Sequence, residues 1–416
     1  MTAAIPSKIS QRDLRLDFWR GLCIVDMVLV HLLEQGLRSD AVIRTIVYDY
    51  LRFAAGGFVF MAGLCVGAIH LKKAIDPARR NDIYLGLLRR ALFVLCVYYF
   101  SEFGYLLLCP FRAEHLDLLE NLRAILTLQR GYDLLPFYVI MLALCPLFLE
   151  LMRRGLWWIL AIASIAAFAF GSVYPWAIGL HINQHFLPMQ WQMIFILGLF
   201  GGALLPRYDR LARSAKLAIA IGSWFSVLLL LAIRDHWLGL AIPLRFDKVP
   251  LSLGELLRYM ACTLAIVITT DLLWKKIEPT RLRRFVNRLG RRSLGTYVMH
   301  IWIVGWVIKI SLLVPHSEIF AIAFMCIANG FLWLFAMRMD DLAAWWTQRQ
   351  RWAPRMEYAT LPLAIATVWV ALLIVNPFVP LSEHQAADTR LAVRSDKISD
   401  VQVNPTRLSV MIAAPQ

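Results

Sequence analysis

The sequence predicts an all-α fold, a polytopic transmembrane helical bundle of ten to eleven spans. Of its 416 residues, 60% are hydrophobic and the mean hydropathy is +0.62, whereas soluble domains sit near about 45–50% apolar. Apolar runs of membrane length recur from one end of the chain to the other, each long enough to cross about 30 Å of hydrocarbon. Lys and Arg collect between those runs, and rich connections alternate with poor ones, the pattern that orients membrane helices. The alternation of period two that a membrane β-barrel requires is missing.

Eleven spans follow in order: 15–36, 50–71, 84–108, 134–152, 156–178, 189–206, 215–233, 256–274, 294–314, 318–338 and 360–380. The connections on the N-terminal side hold most of the cations, eight of them in 275–292 alone, so the N-terminus is expected in the cytoplasm. The net charge of +15 therefore reads as membrane orientation, and nucleic acid is not an expected partner. Span 134–152 is followed by only Arg153-Arg154-Gly155, which fits a tight hairpin into the next helix. Span 360–380 carries Pro362, Pro377 and Pro380 and is the least regular. The stretch Cys109–Asp133 suggests an amphipathic surface helix. Residues 1–380 form one integral-membrane domain, and 381–416 a polar tail of disordered composition. No cleavable signal precedes the first span.

The first span, RLDFWRGLCIVDMVLVHLL (Arg15–Leu33), carries the strongest functional signal. Arg20 and His31 are eleven residues apart, about three helical turns, so they share one face at ~16 Å along the axis. Ionisable groups inside a membrane helix are costly, and they mark function by default. Imidazole is the side chain suited to proton transfer near neutral pH. His31 reads either as a bundle histidine bonded to a neighbouring helix or as a general base toward a hydroxyl arriving from outside. Asp17, one turn before Arg20, either pairs with it at the boundary or orients it toward an anionic ligand. Asp26 points about 120° away from the Arg20–His31 stripe and needs a partner on another helix.

Further along, GGFVFMAGLCVGA (Gly56–Ala68) contains a GxxxG at Gly63 and Gly67, which predicts close helix packing. In FLPMQWQMIFILG (Phe186–Gly198), Gln190 and Gln192 flank Trp191. That reads either as an interfacial belt or as a sugar site of amides beside a ring. The basic connection 275–292 runs into LGRRSLGTYVMHIWIV (Leu289–Val304). There the helix start and Arg288, Arg291 and Arg292 form a candidate phosphate site, with Tyr297 and His300 further in. Glu102 and Lys309 are other intramembrane charges. No metal is expected: His181 and His185 are four apart with no third ligand nearby, and the seven cysteines show no ligand spacing.

Taken together, these stretches resemble the OpgC-type succinyltransferases of osmoregulated periplasmic glucans, relatives of the acyltransferase family 3 membrane enzymes. The matching segments are RLDFWRGLCIVDMVLVH (Arg15–His31), FVFMAGLCVG (Phe58–Gly67), DLLPFYVIMLALCPL (Asp133–Leu147), FLPMQWQMIFILG (Phe186–Gly198) and LGRRSLGTYVMH (Leu289–His300). The resemblance implies a bacterial inner-membrane enzyme that moves an acyl group, succinyl, from cytoplasmic acyl-CoA to hydroxyls of a periplasmic glucan. It implies His31 as the catalytic histidine and Arg20 as the group engaging the donor. Asp17, Trp191, Gln192 and His300 match recurrent motif positions. By this reading Asp17 belongs with the catalytic pair, and Arg20, Arg288, Arg291 and Arg292 meet the acyl-CoA. Trp191, Gln192 and His300 then meet the acceptor. The chain differs in carrying Val30 before the histidine, where relatives often have an acidic residue, and Arg52 at the second boundary. The rival expectations are an acetyltransferase acting on another extracytoplasmic glycan or amino sugar, and a secondary transporter, against which the absence of repeated halves counts.

Overall fold

The computed structural model describes residues 13–36, 53–108, 125–126, 134–174, 186–237, 242–311 and 318–349, and among them every regular element is helical. Eleven helices carry the description: α1 Leu14–Gly36, α2 Ala54–Ala74, α3 Pro77–Leu108, α4 Leu135–Arg153, α5 Trp157–Val173 and α6 Pro188–Asp209. They continue with α7 Arg213–Arg234, α8 Leu253–Leu272, α9 Arg281–Arg291, α10 Ser293–Ser311 and α11 Glu318–Arg349. Ten correspond to the first ten expected spans. The eleventh expected span (360–380), the amphipathic stretch 109–133 apart from 125–126, His181, His185, Arg52 and the polar tail lie outside the described residues. Seven described helices are long and apolar enough to cross a membrane, so the chain is a multi-pass membrane protein. Helix α1 is longer than most of these but carries Asp17, Arg20 and Asp26.

One expectation needs correction. The connection 275–292 is not a loop: most of it is α9, an amphipathic helix. Thr280 caps it, accepting from the Arg283 backbone N–H at 3.2 Å. Val286, Asn287, Leu289 and Gly290 are buried, while Arg281, Arg284 and Arg291 are exposed. Of the eight cations read as a positive loop, Arg281, Arg284, Arg288 and Arg291 are therefore arranged on one face of this helix.

Helix α1 is central. It packs against α2, α9, α10 and α11, and buries Leu16, Phe18, Trp19, Cys23, Ile24, Met27, Val28 and Leu33 around much of its circumference. Its start is backbone-tight against α9: Gly21 lies on the Val286 carbonyl and Gly290 on the Asp17 carbonyl, so a Cβ at either place would collide with backbone. The pair α2/α6 uses the same device twice over. Gly63 and Gly67 of α2 face the Phe195 and Leu199 carbonyls, while Gly198 and Gly202 of α6 face the Phe60 and Leu64 carbonyls. The register climbs together on both helices, so they run parallel, and each GxxxG is the other's groove. Within α2, the turn over Val66–Leu71 widens to a π-helix.

Polar contacts fix which helix ends lie together. Arg15 Nη1 donates to Asp209 at 2.8 Å and to Asp271 at 3.0 Å. Lys216 and the Tyr208 hydroxyl reach the other oxygen of Asp271 at 3.1 and 2.9 Å. The start of α1, the end of α6, the start of α7 and the end of α8 thus share one face, here termed the basic end. The hairpin α4–α5 turns at Gly155 (φ 75°), a left-handed conformation that favours glycine. Glu150 there accepts from Arg153 and Arg154 and from the Tyr84 hydroxyl of α3 at 2.9 Å. Outward-facing Leu88, Leu92, Trp158, Ile162, Ile165, Phe225 and Leu228 are exposed, as helices solvated by lipid tails require.

Candidate active site

The helix geometry keeps Arg20 and His31 on one stripe of α1, and the structure surrounds them differently. Asp17 is 1% exposed and forms an ion pair with Arg20 one turn on. Arg20 Nε also donates to the Leu16 carbonyl at 3.4 Å. Because Gly290 rests on the Asp17 backbone, this pair adjoins the α9–α10 corner that carries Arg288, Arg291 and Arg292. Those three converge on Asp340 of α11. Sequence-predicted donor residues from two distant stretches are therefore neighbours at the basic end.

His31, seventeen residues into α1 and so about 25 Å along it, stacks on His300 of α10. The ring centroids are 5.7 Å apart and the planes 26° from parallel. His300 is 2% exposed. Its Nδ1 contacts the carbonyl of Tyr297 in its own turn. A carbonyl only accepts, so Nδ1 carries the hydrogen and neutral His300 keeps its lone pair at Nε2. Tyr297 lies 5.0 Å from the His300 ring, and its hydroxyl accepts from the Leu134 backbone N–H at 3.1 Å. Phe58 of α2 stacks on Tyr297 at 5.7 Å and meets Tyr138 of α4 edge-on at 5.8 Å. Three helices thus close an aromatic wall beside the two imidazoles. The Tyr138 hydroxyl is buried with no hydrogen-bond partner among the described residues.

A second cluster lies where α2 begins. Asp26 finds the partner that its position demanded: Oδ2 accepts from the Phe53 and Ala54 backbone N–H groups at 3.1 and 2.9 Å. It caps α2 from another helix, placing a carboxylate at the positive end of the helix dipole. Facing it, Arg258 and Glu255 of α8 form a fork-to-fork pair at 2.7 and 2.5 Å, exposed 0% and 1%. Arg258 lies within electrostatic reach of Asp26 and over the Tyr259 ring at 5.1 Å. Tyr259 packs at 5.7 Å from Trp191, which is fully buried between it and Phe186 at 4.6 Å. Trp191 is therefore not an interfacial belt residue. Its indole N–H has no partner among the described residues.

The glutamines face elsewhere. Gln192 donates to the Ser164 carbonyl at 2.8 Å and accepts from the Ser164 hydroxyl at 2.8 Å. Gln190 donates to the Gly171 carbonyl at 2.5 Å. Both tie α6 to α5, so they orient Trp191 from behind. Glu255 and Arg258 escaped the sequence reading because they sit in LSLGELLRYMACTLAIV (Leu251–Val267), which reads as an apolar span. The available signal was the Glu/Arg spacing of three inside that run.

A bundle that stacks a half-buried histidine on a buried one and encloses a capped helix start and a sealed ion pair defines a multi-pass membrane protein with its polar chemistry held inside. A family model described as OpgC protein matches residues 12–345, and the chain belongs to that family. This is a family of membrane acyltransferases, and the chain is accordingly an acyltransferase. Neither the curated proteins nor the solved structures give a match.

Proposed function

We propose that this protein transfers a succinyl group from cytoplasmic succinyl-CoA to hydroxyls of a periplasmic glucan across the bacterial inner membrane. The observation that carries the reading is the His31–His300 stack, set on the same helix stripe as Arg20 but ~16 Å further along. The phosphates of acyl-CoA dock at the basic end, on Arg20, Arg288, Arg291 and Arg292, with Asp17 holding Arg20 in place. The slender arm of the donor runs along α1 and brings the thioester to the imidazoles. The paired glycines of α2 and α6 thin the bundle beside that route.

In the reaction, His31 takes the proton of a glucan hydroxyl as its oxygen attacks the thioester carbonyl. The C–O bond forms, the C–S bond breaks, and the proton passes to the departing thiolate. His300, with a lone pair at Nε2, supports the neighbouring imidazolium or receives its proton. Trp191 and His300 line the acceptor side, and Gln192 serves by fixing the helix that presents Trp191. The buried hydroxyl of Tyr138 and N–H of Trp191 supply donors for sugar oxygens.

The test is mass spectrometry of periplasmic glucans from cells with the gene, without it, and with His31→Ala. A mass increment of succinyl units present only with the intact gene is expected, with the variant still folded and in the membrane. Acyl increments retained in His31→Ala would overturn the catalytic assignment. An acetyl increment would change the donor. Unmodified glucan together with glycan export dependent on the gene would turn the reading to transport.

A further inference from the structure

Three guanidinium groups at the α9–α10 corner share one carboxylate. Arg292 Nε donates to Asp340 Oδ1 at 2.8 Å. Arg288 Nε and Arg291 Nη1 stand 3.7 Å from Oδ2, beyond hydrogen-bond length. Asp340 belongs to α11, so it reaches the arginines across a helix interface. Arg288 lies over the Trp333 ring at 5.3 Å, and Phe285 stacks on the same indole. The side chains of Arg288 and Arg291 are 36% and 46% exposed, so the corner opens to solvent at the basic end. Planar guanidinium forks in a cluster match the oxygens of a phosphate.

We propose that Asp340 is a built-in counter-anion that makes this cradle select a phosphate monoester over a phosphodiester. The inference rests on the donor reading above and deepens it, since the ligand would be the terminal monoester phosphate of a nucleotide-bearing acyl donor. A phosphate monoester carries about −1.5 to −2 charge near pH 7, whereas a diester carries one negative charge, the same as Asp340. The tethered carboxylate is present at high effective concentration. A monoanion therefore gains little by replacing it, while a dianion gains from both guanidiniums that Asp340 leaves beyond hydrogen-bond length. Selection matters at this place, because a basic corner at a membrane surface attracts anionic headgroups, and phospholipid headgroups are phosphodiesters in great excess. Asp340 keeps them out.

The test uses the purified full-length protein in maltoside micelles and in vesicles containing phosphatidylglycerol. The probes are 3′-AMP, a monoester, and 3′,5′-cyclic AMP, a diester of the same nucleoside. The intact protein is expected to bind 3′-AMP at least about tenfold more tightly in both settings. In Asp340→Asn the preference should shrink to about threefold or less in micelles, and 3′-AMP binding should fall below that of the intact protein in the phosphatidylglycerol vesicles. Arg291→Gln should weaken 3′-AMP binding selectively in both settings, which keeps the idea testable if the Asn variant misfolds. An Asn variant with unchanged preference in micelles and vesicles, altered only in melting temperature, would overturn the proposal and leave a plain interhelical ion pair. Acyl transfer measured on the same samples separates the two readings. Selective 3′-AMP binding in a protein that transfers nothing would overturn the donor reading and support the cradle.

Discussion

Arg258 and Glu255 show what a single pair does when lipid and protein exclude water. Both are sealed, and each neutralises the other through two short hydrogen bonds. Removing one partner leaves an uncompensated buried charge, a change that costs on the order of 3–5 kcal/mol. Arg258→Leu is therefore expected to destabilise strongly, whereas the double variant Glu255→Leu/Arg258→Leu recovers most of the loss. Unfolding of the purified variants in detergent measures both. Equal instability of the single and double variants would mean that the pair is not the source. The functional counterpart is His31, whose replacement by Ala should abolish transfer and leave unfolding unchanged. His31 was legible because a histidine in a membrane helix is conspicuous by itself. Its partner His300 was visible only as a separate motif residue, since nothing in spacing says that two helices 269 positions apart bring their rings into contact.

At the level of elements, the glycines decide how near the helices approach. Gly63 and Gly198 place α2 and α6 backbone against backbone, and a side chain at either would meet a carbonyl of the other helix. Backbone cannot swing aside as a side chain can. Gly63→Leu should separate the helices and cost at least the ~1–3 kcal/mol typical of overpacking. Gly222, where a Cβ would meet nothing within 4 Å, should accept the same change at little cost. Thermal stability of the two variants in detergent makes the comparison, and similar losses would refute a packing role specific to Gly63. The GxxxG at Gly63 and Gly67 was legible as packing, but its partner was not. The matching glycines of α6 lie in a run whose polar residues drew the sequence reading to sugar binding. Helix α9 was missed as a helix because its arginines signal charge so strongly that the buried Val286, Leu289 and Gly290 face is easily overlooked.

For the whole molecule, the network of Arg15, Asp209, Asp271, Lys216 and Tyr208 gathers four helix ends onto one face. The same face carries Arg153, Arg154 and the α9 arginines. Positive charge on one side predicts that this face is cytoplasmic. Single cysteines placed in the 274–280 connection should be shielded from a membrane-impermeant thiol reagent in intact cells, and cysteines near 244–248 should be labelled. Labels on the opposite pair of sites would invert the orientation and, with it, the side from which the donor enters.

The sequence alone determined that the chain is a membrane-embedded helical bundle, which family it belongs to, and where its first-helix histidine and arginine lie. The bundle and the placement of those residues follow from local quantities (run length, charge between runs and helical periodicity), and the family from the resemblance of matched motif stretches. Only the tertiary structure decided that His31 meets His300 and that Asp26 caps a second helix. It alone turned Gln192 toward α5 and gave three arginines to Asp340. Each of these is a contact between elements far apart in sequence, and such contacts are set by how backbones pack in three dimensions, which no spacing along one helix encodes.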